Sequence, residues 1–279
     1  MKIALNGATT MHANLATDIE AASVAGYDLL EIWAPKLRAF LKANTLQDLK
    51  QLLWDNRIEP YSINSIEHVT FRNTDEYERI KLECSELTSI AGEIGCPHVV
   101  VVPGKLPPGK GKDDVVVESV RVLDELGKIA AKNGVSLAFE FLGQTDCSVQ
   151  TLELASEIVN AVGSENIGLV LDTFHFYAGN STLESIQEID PKKLFIFHIN
   201  DAENLEREQL TDANRLYPGK GILPLKEIIV ALKNIGYDWM VSVEIFRPEY
   251  WEMNAFEVAR KARDATIEVL NLKTGSAGQ

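Results

Sequence analysis

Positive charge is what this chain is shortest of. Its 27 Lys and Arg stand against 41 Asp and Glu, a formal net charge of −14 with the five histidines neutral. So acidic a surface repels a phosphate backbone, which argues against nucleic acid as a partner. Cysteine is scarce as well. Cys84, Cys96 and Cys147 form neither a CxxC pair nor an even framework, which suits a reducing compartment. Long apolar runs are missing too. The opening MKIALNGATT has one lysine and a short apolar stretch before Asn6, too little for a signal peptide. No later run approaches the ~18 residues of a membrane span. A cytoplasmic protein with no membrane partner is expected. Low-complexity tracts and linkers are absent, and only the tail KTGSAGQ, residues 273–279, is expected to be disordered.

What the chain does have is a regular succession of short apolar runs. They are KIALN (2–6), LLEIW (29–33), PYSIN (60–64), HVVVVPG (98–104), SLAFEFLG (136–143), IGLVLDTFH (167–175), LFIFHIND (194–201) and MVSVEIF (240–246). Periodic segments lie between them, such as Tyr77, Ile80, Cys84, Leu87, Ile90 and Ile94, spaced three or four apart as one helical face requires. Gly26, Gly95, Gly134 and Gly236 fall just before the next run, where helices end. Eight strand–helix units in a chain of 279 residues predict a single-domain (β/α)8 TIM barrel over residues 1–272. A doubly wound open sheet is the rival topology.

Side chains alternate along a barrel strand, so every second residue points inward. Glu140 shares parity with Ala138, Asp172 with Val170, His198 with Ile196, and Glu244 with Ser242. Each of the last four strands thus carries one metal-competent residue near its C-terminal end, the face on which TIM barrels build their sites. Glu244 poses the problem most sharply, because a carboxylate inside the apolar run MVSVEIF is costly unless something partners it. Three carboxylates brought together repel one another unless a cation joins them. The expected cofactor is therefore one divalent metal ion held by Glu140, Asp172, His198 and Glu244. This donor set suits Mn, Mg, Fe, Co or Zn without selecting among them.

Four stretches, FEFLG (139–143), GLVLDTFHFY (168–177), RLYPGKG (215–221) and VSVEIFRPEY (241–250), make the chain resemble the xylose isomerase-like TIM barrels. That superfamily of sugar isomerases and epimerases also contains endonuclease IV. The resemblance implies the same four metal ligands, and it places substrate contacts on His175, in the DxxH of the sixth strand, and on Arg215, in the loop after the seventh. It implies an isomerase of a polyhydroxy ketone or sugar, most closely an inosose, with Glu140 and Glu244 moving protons through an enediolate. A ketose 3-epimerase and an inosose dehydratase use related apparatus and stay open as alternatives. Endonuclease IV adds histidines from earlier strands, and this chain has Asn64 and Pro103 there, so the DNA-repair reading is disfavoured. The expected partner is a small polyol ketone or sugar; a homo-oligomer stays open.

GKLPPGKG (104–111) nearly spells a phosphate-binding loop, but Gly111 stands where Ser or Thr is needed, and Pro107 and Pro108 remove amide donors. A surface loop or lid is expected there instead. Arg247 and Glu249 are candidates for a rim ion pair, while Trp33, Trp54 and His98 suggest only packing.

Overall fold

The computed structural model describes residues 1–271, so the expectation for 273–279 lies outside the described residues. Among the described residues there are ten strands, β1 (Lys2–Asn6), β2 (Leu29–Trp33), β3 (Glu59–Ile66), β4 (His98–Val101), β5 (Ser136–Glu140), β6 (Ile167–Asp172), β7 (Leu194–Ile199), β8 (Asp201–Ala202), β9 (Arg215–Leu216) and β10 (Met240–Val243). Eight of them close a barrel in the order β1, β10, β7, β6, β5, β4, β3, β2, every pairing parallel. The expected closed barrel is what forms, and the open sheet is not. β1 pairs with β10, and helix Ala255–Asn271 packs on helix Leu15–Ala25, so both ends of the described chain complete one unit.

Local chemistry sets where the helices begin and end. Asn14, Thr45, Asn73 and Thr151 each accept a backbone N–H from the first turn of the helix that follows them. Gly95 ends helix Thr74–Ile94 in left-handed backbone at φ 75°, a conformation that costs glycine no Cβ clash. That helix buries Tyr77, Ile80, Cys84, Leu87 and Ile94 against the barrel and leaves Ile90 partly exposed.

Strand parity divides the apolar residues into two layers. Outward-facing Leu30, Ile63, Val99, Leu137, Leu169 and Phe197 join the helices in the main core. Inward-facing Ala4, Leu29, Val100, Ala138, Val170, Ile196 and Met240 fill the barrel's interior. Fully burying each large aliphatic or aromatic side chain contributes about 1.5–3 kcal/mol. Ala138, Val170 and Ile196 lie two residues before Glu140, Asp172 and His198 and form the floor beneath them.

Several expected strands are too long at their C-terminal ends. The sixth stops at Asp172 because the Asp172 side chain accepts the His175 N–H and starts helix Thr173–Ala178, so His175 sits on a helix and not on a strand. The runs expected to reach 104, 143, 201 and 246 leave the barrel after Val101, Glu140, Ile199 and Val243, while the third strand extends to Ile66. In the connection after β7, β8 and β9 form a two-residue antiparallel ladder. No described helix is long and apolar enough to cross a membrane.

Candidate metal centre

Register sets Asp172 directly opposite His198 and leaves Glu140 and Glu244 each two residues out of step on the flanking strands. Asp172 pairs across with His198, His198 with Ser242, and Glu140 with Val170. One donor atom from each of Glu140, Asp172, His198 and Glu244 lies within 4.8 Å of the other three, and all four residues are buried. Among the described residues this is the one such group. His198 Nδ1 stands 2.9 Å from Glu140 Oε1, 3.3 Å from Glu244 Oε2 and 4.0 Å from Asp172 Oδ2, so this nitrogen, not Nε2, faces the cluster.

A fourth carboxylate completes the arrangement, one to which the sequence alone assigns no role. Glu31 on β2 is wholly buried; its Oε2 lies 2.9 Å from His198 Nε2 and accepts the Ser242 hydroxyl at 2.7 Å, while its Oε1 accepts from Asn64 Nδ2 at 3.2 Å. With Nε2–H donated to Glu31, the Nδ1 lone pair is directed at the three candidate carboxylate ligands. A carboxylate behind a ligating histidine commonly orients metal sites in this way.

Electrostatics point to a missing positive charge. Burial alone would raise Glu244, but the His198 charge and hydrogen bond, together with the Arg215 guanidinium, outweigh it and hold the carboxyl below its usual value. For Glu140 burial wins, reinforced by Glu244 and Asp172 against the opposing His198, and the carboxyl is pushed up to about 8. Burial disfavours charge on His198, yet Glu244, Glu31 and Glu140 outweigh it and raise the imidazole well above its ordinary value. Four carboxylates therefore face one guanidinium and one imidazole, and a divalent cation in place of the Nδ1 proton fits that deficit.

Arg215, 1% exposed, is the other organiser. Its Nη1 donates to Asp172 Oδ2 at 2.8 Å and Glu244 Oε2 at 3.0 Å, and its Nη2 and Nε donate to Asp212 Oδ1 at 2.8 and 3.1 Å. Asp212, not foreseen from the sequence, is in turn tied to Gln144 Nε2 at 3.0 Å. His175 Nε2 lies 3.0 Å from Arg215 Nη2, and its Nδ1 lies 3.2 Å from the Gly143 N–H. A neutral imidazole accepts at one nitrogen only, so one of these donors is unmatched. Gly143 has to be glycine, because a Cβ there would come within 2.8 Å of both Ala178 Cβ and the His175 carbonyl.

The cavity above the cluster measures about 240 Å3 and is walled by Trp33, Asn64, Ser65, Glu67, His68, Val102, Glu140, Leu142, Gln144, His175, Asp212, Arg215, Glu244 and Phe246. That is smaller than the ~300–1,000 Å3 typical for drug-sized ligands and suits a compact polyol. A larger depression of about 610 Å3 near Met11 and Phe40 shares only Trp33 with it and contains none of the converging donors. Trp33 is therefore more than packing: it lines the site and meets Phe246 edge-on at 5.5 Å. His98 does pack, between Tyr61 and Phe195, whereas Trp54 is 80% exposed. Arg247 pairs with Glu249 at 3.2 Å, as expected, and more closely with Glu203 at 2.7 Å. No residue of 104–111 lines the cavity; Lys105 is bridged to Cys147 and paired with Asp146, so this stretch is a surface loop.

A closed parallel barrel with a carboxylate–histidine cluster at its C-terminal mouth defines a class, and the sequence comparison agrees. The profile of the xylose isomerase-like TIM barrels matches residues 19–269, and the chain belongs to that family. It is 40% identical over 275 residues to the inosose isomerase of Bacillus velezensis, covering 97% of this chain and 98% of that protein. The inosose isomerase of Halalkalibacterium halodurans is 41% identical over 275 residues, covering 97% of each. A crystal structure of the IOLI protein with a binding zinc atom superposes with a TM-score of 0.94 at 39% identity, over 97% of this chain and 98% of that one.

Proposed function

We propose that the chain is a divalent-metal-dependent isomerase of a polyhydroxy ketone, with inosose as substrate. The observation that carries this reading is the convergence of Glu140, Asp172, His198 and Glu244 beneath a small polar cavity that Arg215 and His175 also line. Full-length relatives at about 40% identity are inosose isomerases, which supports the substrate, and the zinc in the IOLI structure supports a bound metal. A divalent ion held by the four side chains supplies a Lewis acid for the substrate carbonyl.

The chain's own groups supply positioning and proton transfer. Arg215, braced by Asp212, presents a planar guanidinium to the substrate oxygens, and a substrate oxygen accepting from it relieves the donor crowding at His175. Glu140 and Glu244 come from the two flanks of the cluster and face a substrate from two sides. In a 1,2-isomerisation one carboxylate takes the proton from the hydroxyl-bearing carbon and a proton is returned to the former carbonyl carbon, while the hydroxyl proton passes to the former carbonyl oxygen, so the isomers differ only in which carbon is the ketone. Glu140 Oε2 makes no hydrogen bond among the described residues, whereas both Glu244 oxygens are engaged, by Asn6, Asn64 and Arg215.

Turnover of inosose in heavy water by metal-reconstituted enzyme tests the reading. Product carrying deuterium at the reacting carbon, abolished by a chelator, is expected. Glu140→Gln and Glu244→Gln should each lose at least about a hundredfold in kcat, within the range general acid–base groups supply. No conversion of inosose at any metal loading would overturn the substrate; conversion without solvent deuterium would point to a hydride shift.

A further inference from the structure

We infer that His68 is a specificity-determining residue of the cavity, contacting the substrate hydroxyls that lie away from the reacting carbons. The inference rests on the isomerase reading for the orientation of the substrate. The four candidate ligands occupy one contiguous half of the barrel, from β5 through β6 and β7 to β10. β3 lies four strands round from β7, so the loop after β3 faces the cluster across the mouth. A polyol whose carbonyl end points at the cluster turns its remaining hydroxyls toward that loop.

The far wall consists of Trp33, Asn64, Ser65, Glu67, His68 and Val102. Trp33 and Val102 offer almost no polar surface. Asn64 is already committed, its amide donating to Glu31 and Glu244. His68 is free by comparison. Its ring nitrogens make no hydrogen bond among the described residues, and Glu67 Oε2, at 3.9 Å, is beyond hydrogen-bond range. A neutral imidazole donates at one nitrogen and accepts at the other, which matches hydroxyls on neighbouring carbons.

The backbone presents this side chain at a cost. His68 has φ 56° and Phe71, three residues later, φ 57°, a left-handed conformation uncommon outside glycine. The segment is pinned there. The Val69 N–H donates to the Val102 carbonyl at 3.0 Å, the Phe71 N–H to Glu118 at 3.1 Å, and Arg72 Nε to the His68 carbonyl at 2.6 Å. Uncommon backbone geometry enforced at the rim of a site is where function, not stability, tends to keep a residue.

The test compares binding of two probes by calorimetry to metal-loaded wild type, His68→Gly and His68→Asn. Inosose presents the full ring of hydroxyls, and dihydroxyacetone presents only a ketone with adjacent hydroxyls. His68→Gly should keep the metal and melt no lower than wild type, because glycine suits the left-handed backbone. It should bind inosose at least about tenfold more weakly, on the scale of one lost hydrogen bond, and dihydroxyacetone within about twofold of wild type. His68→Asn, which also tolerates this backbone and keeps a polar group, should fall between. Unchanged inosose affinity overturns the contact, as does equal weakening of both probes. Wild type that binds inosose no better than dihydroxyacetone overturns it as well. Tight binding of inosose without turnover would sink the isomerase reading instead and leave the affinity comparison to decide on His68.

Discussion

Behind His198, Glu31 fixes which nitrogen faces the cluster. It accepts at 2.9 Å from Nε2 and is itself held by Ser242 and Asn64. Glu31→Gln keeps the shape but removes the charge and introduces an amide that can donate toward Nε2, favouring the wrong tautomer. Metal affinity, measured by competition with a chromophoric chelator, should fall about 10- to 100-fold with the fold intact, as outer-shell substitutions generally do; unchanged affinity would reduce Glu31 to packing. For Arg215 and His175 the proposed role is toward substrate instead. Arg215→Ala and His175→Ala should cut kcat/KM by about ten- to a thousandfold while metal content, measured by atomic absorption, stays near wild type. Wild-type kinetics in both would remove them from the site. The sequence signal for Glu31 in LLEIW has the same form as that for Glu244 in MVSVEIF. It sits mid-strand, however, with Ile32 and Trp33 still to follow on β2, so parity alone sets it below the rim where ligands are sought.

Among the elements, the barrel strands and the helix faces were legible because their periods, 2 and 3.6, are written locally. The connections were not. The β8–β9 ladder depends on pairing Asp201 with Leu216 across a loop, and helix Thr173–Ala178 hides inside an apolar run that looks like strand until Asp172 caps it. Equally invisible was the buried pair that ties helix Leu15–Ala25, and the loop between it and β1, to the helix after β2. Lys36 Nζ donates to both Asp18 oxygens at 2.8 and 3.0 Å and to the Gly7 and Thr10 carbonyls at 2.8 Å. Every acceptor around this ammonium comes from another element, so only the fold reveals it. Asp18→Asn strands a buried ammonium without its counter-charge. Such a loss costs about 3–5 kcal/mol, and replacing Asp18 and Lys36 together by apolar residues of similar volume should cost much less. Urea melts of the single and double variants check this; a single variant as stable as wild type would show the pair to be dispensable.

On the scale of the whole molecule, the barrel divides its labour between its two ends. The C-terminal mouth collects four buried carboxylates that are stable only in company, while the N-terminal end is closed by apolar and aromatic packing. His98 belongs to that second end. It opens β4 between the rings of Tyr61 and Phe195, at 5.0 and 4.8 Å, and its Nδ1 is buried without a partner. Burial pushes its imidazole down to about 4, so it stays neutral in the folded protein at pH values where the unfolded chain takes up a proton. Below about pH 6.5 the unfolded state binds the proton and the folded state does not, so stability falls as pH drops through the interval down to about 4 and is fully present above it. Between pH 7 and pH 5 this one group should cost about 2 kcal/mol. His98→Phe keeps the stacking, removes the orphaned nitrogen and cannot titrate. It should melt at or above the wild-type temperature at pH 7 and lose a few degrees less than wild type on going to pH 5. Thermal melts of both proteins at the two pH values decide the matter, because parallel losses would place the acid sensitivity at the carboxylate-lined mouth and not at His98.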